Sequence, residues 1–343
     1  QGKTENRSVV ARLLRALYGL KQSPREWYKE LTRILELLGF TPCHNDPGVY
    51  TRHLQQEIDC LLLVYVDDIL IISPNKHTVE QFKKDFSAHV QIKDLQECRQ
   101  ILGINVKKTR NGLALDQQQI LQQLLNKTGF ADAAPVKCPM TSSYYQSRIN
   151  LTSLPQSHSA HSPDSHHTAP ATSTSIEDTT LSPVNHPANA SSNPSKDILS
   201  PAEQHDFQST VGTLLYVSLC TRPDISYAVT VLCRSMQQAT VADNTALRHL
   251  LKYIKGTVDI QLHIGQDRTQ QITVYSDSSY ADDKRTGRST MGQVIQYKGG
   301  TVHWKSQLQK TVSLSTAEAE YIAVADSCKE AQSLQHLLQE VGI

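Results

Sequence analysis

The chain lacks a long apolar run, closely spaced cysteines and an excess of charge of either sign. Its longest apolar stretch is Cys60–Val66, far short of the roughly 20 apolar residues that a membrane-spanning helix needs. No two of the seven cysteines lie within four residues of each other, which argues against zinc knuckles and redox pairs and favours reduced thiols in an intracellular compartment. With 34 Lys and Arg against 33 Asp and Glu, a globally basic nucleic-acid-binding surface is excluded, although local basic patches are not. The first residues, Gln1–Glu5, include no initiator Met and no apolar signal region, so we expect the sequence to begin inside a longer protein.

Large apolar residues nearly disappear between Thr141 and Ser200, where the sequence holds 15 Ser, 7 Thr, 6 Pro and 5 His. Such a segment buries too little surface to offset the entropy that is lost when it is ordered. A metal site at His166 and His167 is disfavoured, because no Cys or carboxylate pattern accompanies them. Residues 141–200 are therefore predicted to be a disordered linker between two folded parts.

Helix and strand patterns alternate on both sides of this linker. Apolar residues at helical spacing predict helices over 23–38 (Ser23 as cap and Pro24 in the first turn), 120–125, 247–254 and 316–340. Capping boxes predict helix starts at Thr78 and at Ser200. Apolar runs predict strands over 61–66, 69–72, 101–108, 113–115, 272–275, 291–297 and 301–304. The mixture predicts an α+β fold.

Two adjacent carboxylates, Asp67 and Asp68, separate two of the predicted strands. Burying charge costs several kcal/mol unless it is neutralised, and Asp-Asp is not the usual hairpin pair, because it supplies no residue suited to a positive φ. A divalent metal would relieve the repulsion, and two-metal phosphoryl transfer uses carboxylates in this way. A plain surface turn is the alternative interpretation of these residues.

Five segments of the sequence form one recognisable series: Leu17–Trp27, Tyr65-Val66-Asp67-Asp68 between apolar strands, Leu102-Gly103-Ile104, Thr221–Ile225 and Tyr253–Thr257. Together they resemble the Pol polyprotein of copia-type LTR retrotransposons, in the region of reverse transcriptase and ribonuclease H. The resemblance covers nearly all of the sequence except 141–200, with matching order and spacing. It implies a partial reverse-transcriptase palm and thumb over 1–140, a helical connection region over 201–265 and a partial ribonuclease H-like α/β domain over 266–343.

The resemblance also implies roles for individual residues of the first part. Asp67 and Asp68 would be palm ligands of Mg²⁺, with Mn²⁺ as a possible substitute. Tyr65 would lie near the primer terminus, and Leu102 and Gly103 would hold the primer strand. Tyr18, Gly19 and Lys21 would bind the incoming nucleotide and the template. Ordinary half-buried packing of Tyr18 and Tyr65 and a simple turn at Gly19 remain the alternatives.

A second acidic pattern lies near the end of the sequence. Asp277 ends an apolar strand within Val274–Ser279, and Ser313–Tyr321 opens the last helix. The resemblance implies that Asp277 and Glu320 hold divalent metal for cleavage of an RNA strand. A capping box with Ser315 explains Glu318 without catalysis.

Other acidic residues of this part are expected to play lesser roles. Asp282 and Asp283 are expected to form a solvated turn. Asp326 lies six residues beyond Glu320, about 120° away around the helix, and so cannot easily join Glu320.

The family's palm carries a further metal-binding Asp before the Tyr18–Gly19 segment, whereas the first Asp of this sequence is Asp46. The sequence stops at Ile343, soon after the last helix and before the next strand, so the family's later ribonuclease H carboxylates are expected to be missing as well. We therefore expect a fragment truncated at both ends and inactive by itself. The intact parent would use an RNA template, a DNA primer, RNA–DNA hybrid and deoxynucleotides, with no membrane partner. It would act in the cytoplasm or nucleus, in retrotransposon particles if the element is active.

Two other classes remain open: a non-catalytic nucleic-acid-binding remnant of a decayed element, and a metal-free structural scaffold. Lys284–Lys310 contains six Lys and Arg, no acidic residue and two interleaved aromatic residues. This stretch fits phosphate contacts, although a solvated surface with incidental charge explains it equally well.

Overall fold

The computed structural model describes residues 16–17, 19–144, 197–265 and 271–343. Within these ranges the strands form three antiparallel sheets. The first sheet contains β1 (Thr41–Pro42), β2 (Val49–Leu54), β3 (Glu57–Tyr65) and β4 (Asp68–Ile72). The second contains β5 (Gln100–Ile101), β6 (Ile104–Thr109), β7 (Gly112–Asp116) and β8 (Leu262–Ile264). The third contains β9 (Ile272–Asp283), β10 (Arg288–Tyr297) and β11 (Gly300–Leu308), in the order β11-β10-β9.

Seven α-helices of eight or more residues accompany the sheets in the described ranges. They are α1 (Ser23–Leu37), α2 (Lys76–Ser87), α3 (Gln118–Thr128), α4 (Pro201–Cys220), α5 (Ser226–Cys233), α6 (Val241–Gly256) and α7 (Thr316–Glu340). In these ranges no helix is both long enough and apolar enough to cross a membrane.

The first sheet is covered on one face by α1 and α2. Tyr50 and Leu62 lie opposite each other on β2 and β3 and are fully buried. They pack in one cluster with Leu35 of α1 and Phe86 of α2. This core fixes β3, and β3 leads directly into the acidic pair.

The second sheet joins segments from both sides of the predicted linker, because β8 pairs with β7. Asp116 at the end of β7 is buried and accepts hydrogen bonds from Asn105, Lys107 and Gln261. Burial alone would raise the pKa of this carboxyl, but the hydrogen bonds outweigh burial and lower the pKa to about 2. A continuous apolar core then connects α3 with α4, α5 and α6.

The third sheet packs against α7, which covers β9 and β10. Ser327 of α7 donates a hydrogen bond to Gln293 of β10 over 2.9 Å. On the opposite face, Thr230 of α5 donates to the main-chain carbonyl of Ser306 on β11. The far end of α7 reaches the first part of the chain, where Glu340 accepts hydrogen bonds from the backbone and side chain of Asn45.

Most predicted helices and strands are confirmed, but several local predictions are wrong. The strand predicted over 101–108 is interrupted by a turn at Leu102 and Gly103, and Asp277 lies inside β9 rather than at the end of a strand. Ser23 is the first helical residue rather than the cap, and its hydroxyl donates to the Leu17 carbonyl. The second helix begins at Lys76 rather than after Thr78. Its N-cap is Asn75, whose side chain accepts a hydrogen bond from the His77 amide. Asp282 is not a solvated turn residue: it is buried in β9 and accepts hydrogen bonds from the amide and hydroxyl of Thr290.

The predicted linker lies mostly outside the described residues, and its disorder stays a prediction. Its two ends are described and packed. Tyr144 is buried and donates a hydrogen bond to Asp243 of α6. Ile198 forms a β-bridge with Thr240.

Candidate nucleic-acid and metal sites

The acidic pair lies at the tip of the β3–β4 hairpin, as the sequence predicts. Tyr65 pairs with Asp68, so Val66 and Asp67 form the two-residue loop. Asp67 and Asp68 are both exposed. Two hard carboxylates are thus presented to solvent at the edge of a sheet whose other end is anchored in a buried core.

Val66 carries the positive φ that this loop requires, at 56°. A two-residue loop with a positive φ at its first position ordinarily has Gly there. A β-branched residue in this conformation is a true outlier and costs about 1–3 kcal/mol. The Val66 carbonyl is held in place by α1, because the Trp27 indole nitrogen donates a hydrogen bond to it over 2.8 Å. Strain of this kind, held by the surrounding structure, is typical of functional sites.

The Leu102–Gly103 turn is the second strained turn of the region. Ile101 pairs with Ile104, and the two residues between them have φ of 51° and 71°. A Cβ atom on Gly103 would lie 3.0 Å from the Ile120 side chain of α3. Leu102 is left in a conformation that leucine rarely adopts, so its main chain must be held by other contacts.

Tyr216 of α4 makes that contact, and the sequence analysis missed it. Its hydroxyl donates a hydrogen bond to the main-chain carbonyl of Leu102. Burial raises the pKa of the Tyr216 phenol, and the nearby Cys220 and Tyr65 raise it further. Tyr216 therefore contacts Leu102 directly, one of the residues that the resemblance assigned to the primer, and lies close enough to Tyr65 for its charge to act on the phenol. Because Tyr216 is far from Leu102 in the sequence, no local sequence pattern points to this contact.

The predicted nucleotide-binding segment is only partly described. Tyr18 lies outside the described residues. Gly19 is exposed with φ of 91°, and a Cβ atom there would meet no atom within 4 Å. Its glycine is thus explained by backbone conformation rather than by crowding. Lys21 is exposed just before α1.

The second acidic pattern is assembled across β9 and α7. Glu320 of α7 accepts a hydrogen bond from the main-chain amide of Ser278 over 3.2 Å, next to Asp277. The Ser278 hydroxyl faces α7, because Gln309 contacts both it and the Ala319 carbonyl. Side chains alternate along a strand, so Asp277 points to the other face. The structure thus brings Glu320 to the backbone beside Asp277, with the two side chains starting from opposite faces.

Asp277 lines a cavity of about 660 Å³ between α5 and the third sheet. Tyr227 of α5 and Tyr275 and Trp304 of the sheet form its aromatic walls. Gly292 lies opposite Asp277 and leaves open space where a side chain would project.

Two neighbouring acidic residues have structural roles. The Ser315 hydroxyl accepts a hydrogen bond from the Glu318 main-chain amide and so caps the helix, as predicted from the sequence. Asp326 is paired with Lys305 over 2.9 Å, which also neutralises one cation of the basic stretch.

Carboxylate oxygens are suitable ligands for Mg²⁺, which commonly binds one or two carboxylates together with substrate phosphates and water. Asp67 and Asp68 fit one such ion by their chemistry and exposure. The described residues contain no cluster of three or more His, Cys, Asp or Glu side chains arranged for a metal. In these ranges, the side chains alone therefore do not build a two-ion site.

Comparison with known proteins shows the family of the chain. Residues 2–142 match the family model described as reverse transcriptase (RNA-dependent DNA polymerase). The chain is 31% identical over 338 residues to the retrovirus-related Pol polyprotein from transposon TNT 1-94 of Nicotiana tabacum, covering 98% of this chain and 22% of that protein. It is 32% identical over 336 residues to the Pol polyprotein from transposon RE1 of Arabidopsis thaliana, covering 98% and 20%.

The chain belongs to the Pol polyproteins of copia-type retrotransposons. It spans about a fifth of the length of these two relatives. It also resembles the uncharacterized mitochondrial protein AtMg00810 of Arabidopsis thaliana, at 31% identity over 78% of this chain and 92% of that protein. No solved structure matches the chain.

Proposed function

We propose that the chain is the part of a copia-type Pol polyprotein that binds a primer–template in a reverse transcriptase and continues into a ribonuclease H-like domain. In this proposal residues 1–140 contribute palm and thumb, residues 201–265 the connection region, and residues 266–343 the ribonuclease H-like part. The main support is the acidic pair at the tip of a strained hairpin, together with a second strained turn, Leu102–Gly103, that Tyr216 holds by a hydrogen bond.

In this proposal, the residues of the hairpin and of its neighbouring segments bind different parts of the substrate. Asp67 and Asp68 would hold Mg²⁺ together with phosphate oxygens of the substrate. The ion, when bound, neutralises negative charge on the phosphates. Tyr65 presents an exposed ring beside the carboxylates, on which a base or sugar of the primer end can pack. Leu102 and Gly103 support the primer strand from the second sheet, and Tyr18, Gly19 and Lys21 flank the incoming nucleotide.

The third sheet would bind the RNA strand of the hybrid. The resemblance assigns Asp277 and Glu320 to divalent metal there, but their side chains start from opposite faces of β9, so only Asp277, in the cavity wall, faces the proposed RNA-binding side. The aromatic walls of the cavity suit stacking with bases of any sequence. The basic stretch supplies phosphate contacts, with Lys305 already paired to Asp326.

This chain by itself is proposed to bind nucleic acid without extending a primer. Two-ion phosphoryl transfer needs charge neutralisation at both the attacking and the leaving oxygen. Removing one stabiliser of transition-state charge commonly costs about 10²–10³ in rate. A chain with only the Asp67–Asp68 pair at its hairpin is expected to lose more than that.

Two assays on the full chain test the proposal: binding to a fluorescent DNA primer annealed to an RNA template, and extension of that primer with Mg²⁺ or Mn²⁺. We expect binding that weakens as salt rises and no extension above that of the Asp67→Asn, Asp68→Asn double variant. Extension that the double variant abolishes would show that another residue completes the metal site. Absence of binding would contradict the proposed function and favour a structural scaffold.

A further inference from the structure

The Leu102–Gly103 turn is held from two sides. Ile120 of α3 limits the space behind Gly103, where even a methyl group would lie 3.0 Å from its side chain. Tyr216 of α4 binds the Leu102 carbonyl from the other side. Both turn residues have a positive φ, which suits glycine but not leucine. Leu102 is the turn residue that disfavours its own backbone conformation. The Tyr216 hydroxyl fixes the carbonyl of this residue.

Tyr216 also belongs to an exposed apolar surface. Leu219 lies one helical turn further along α4 and is 62% exposed, while Tyr216 is 40% exposed. Leu102, whose carbonyl Tyr216 binds, is 36% exposed, and Tyr65, on the neighbouring hairpin, is 60% exposed. We call these four residues the grip surface: Tyr65, Leu102, Tyr216 and Leu219. Exposed apolar side chains from three separate elements, two of them joined by the Tyr216–Leu102 hydrogen bond, indicate a binding surface.

The chemistry of this surface fits one strand of nucleic acid near a phosphate-binding edge. Tyrosine rings stack on bases irrespective of sequence, and leucine side chains pack against sugars. Asp67 and Asp68 lie directly beyond Tyr65 at the hairpin tip. A strand that crosses the grip surface would thus bring its end to the carboxylates.

We propose that Tyr216 is a positioning residue for the primer strand, acting by fixing the Leu102–Gly103 turn beside Tyr65. This inference rests on the proposed function and adds to it a residue of the connection region. Loss of the Tyr216 hydroxyl frees the Leu102 carbonyl and lets the turn move away from the primer. Contacts to the template, which do not pass over the turn, stay as they are.

The test compares Tyr216→Phe with Tyr253→Phe in the full chain. Tyr253 is a suitable control because its hydroxyl also donates a hydrogen bond, to Asp224 over 2.9 Å, but away from the turn. Two affinities are measured for each protein: one for an RNA template with an annealed DNA primer and one for the same RNA without primer. Hydrogen exchange of residues 100–105 is followed in parallel.

Tyr216→Phe should weaken binding of the primed template by about 2- to 10-fold, the loss expected for one hydrogen bond. It should leave binding of the unprimed RNA unchanged and speed exchange in the turn. Tyr253→Phe should change neither the ratio of the two affinities nor exchange in the turn. An equal loss for both nucleic acids in Tyr216→Phe would assign the residue a merely structural role.

Unchanged binding of primed template by Tyr216→Phe would overturn the inference while leaving the proposed function intact. Failure of the unsubstituted chain to bind either nucleic acid would overturn both. Faster exchange with an unchanged affinity ratio would show that the hydrogen bond holds the turn but that the turn does not hold the primer.

Discussion

The two acidic regions of the chain differ in how their carboxylates are positioned. At the β3–β4 hairpin, neighbouring residues carry both carboxylates, and the strain that presents them falls on Val66. At the third sheet, Asp277 and Glu320 come from a strand and a helix that meet only through the packing of α7 on β9. The first arrangement is local and strained, whereas the second is long-range and stabilised by ordinary hydrogen bonds. A site built from neighbouring residues can be predicted from a short sequence motif. A site built from distant residues can be predicted only when the fold is known.

The largest expected effect comes from truncating the core beneath each region. Leu62→Ala removes a fully buried side chain under the first hairpin, and Ile295→Ala does the same in the third sheet. Each should lower the free energy of unfolding by about 2–5 kcal/mol. Hydrogen exchange should show Leu62→Ala loosening mainly β3 and β4 and Ile295→Ala mainly β9 and β10. Equal loosening of both sheets by either substitution would show that the regions are one cooperative unit.

The next effect concerns the sheet that carries the Leu102 turn and depends on pH. The pKa of Asp116 is lowered to about 2 in the folded chain from an ordinary value of 3.8. Its contribution to stability is therefore complete above about pH 4 and is lost as the pH falls towards 2. The shift corresponds to about 2 kcal/mol. In urea unfolding, the difference between the unsubstituted chain and Asp116→Asn should shrink over this range; a constant difference would contradict the account.

A smaller effect tests the strain at the first hairpin. Val66→Gly removes about 1–3 kcal/mol of backbone strain and adds about 0.5–1 kcal/mol of entropy cost, so the free energy of unfolding should rise by up to about 2.5 kcal/mol. Ala281→Gly is the counterpart in the third sheet, since Ala281 also has a positive φ, at 47°, but no β-branch. Ala281→Gly should raise the free energy of unfolding by less than Val66→Gly does. A larger gain at Ala281 than at Val66 would remove the argument that strain is concentrated at the acidic pair.

The smallest effect belongs to the second acidic region. Glu320→Gln retains a hydrogen-bond acceptor for the Ser278 amide, so stability should change by less than about 1 kcal/mol. Glu320→Ala removes the acceptor and should speed exchange of that amide. Glu318→Gln is the matched control on the same helix and should leave Ser278 exchange unchanged. Slow exchange at Ser278 in Glu320→Ala would show that Glu320 does not hold the β9 edge.

Sequence patterns predicted the parts of this structure whose causes are local. The hairpin at Asp67–Asp68, the helix over 316–340 and the capping box at Ser200 all depend on neighbouring residues, and all are confirmed. Asp282 was misread because its partner Thr290 reaches it only across a bulged strand pair. Tyr216 of α4 was missed because its partner, Leu102, is far away in the sequence and lies in a turn of the second sheet. The positive φ at Val66 could not be foreseen because valine disfavours it.

The path of the primer over the first region is the central claim, and photocrosslinking tests it directly. A DNA primer with a photoreactive 3′-terminal nucleotide is annealed to an RNA template, bound to the full chain and irradiated, and the crosslinked peptides are identified. The account predicts crosslinks to peptides that contain Tyr65 and Leu102, reduced in Tyr216→Phe but not in Tyr253→Phe. Crosslinks confined to the basic stretch 284–310 or to α6 would contradict it.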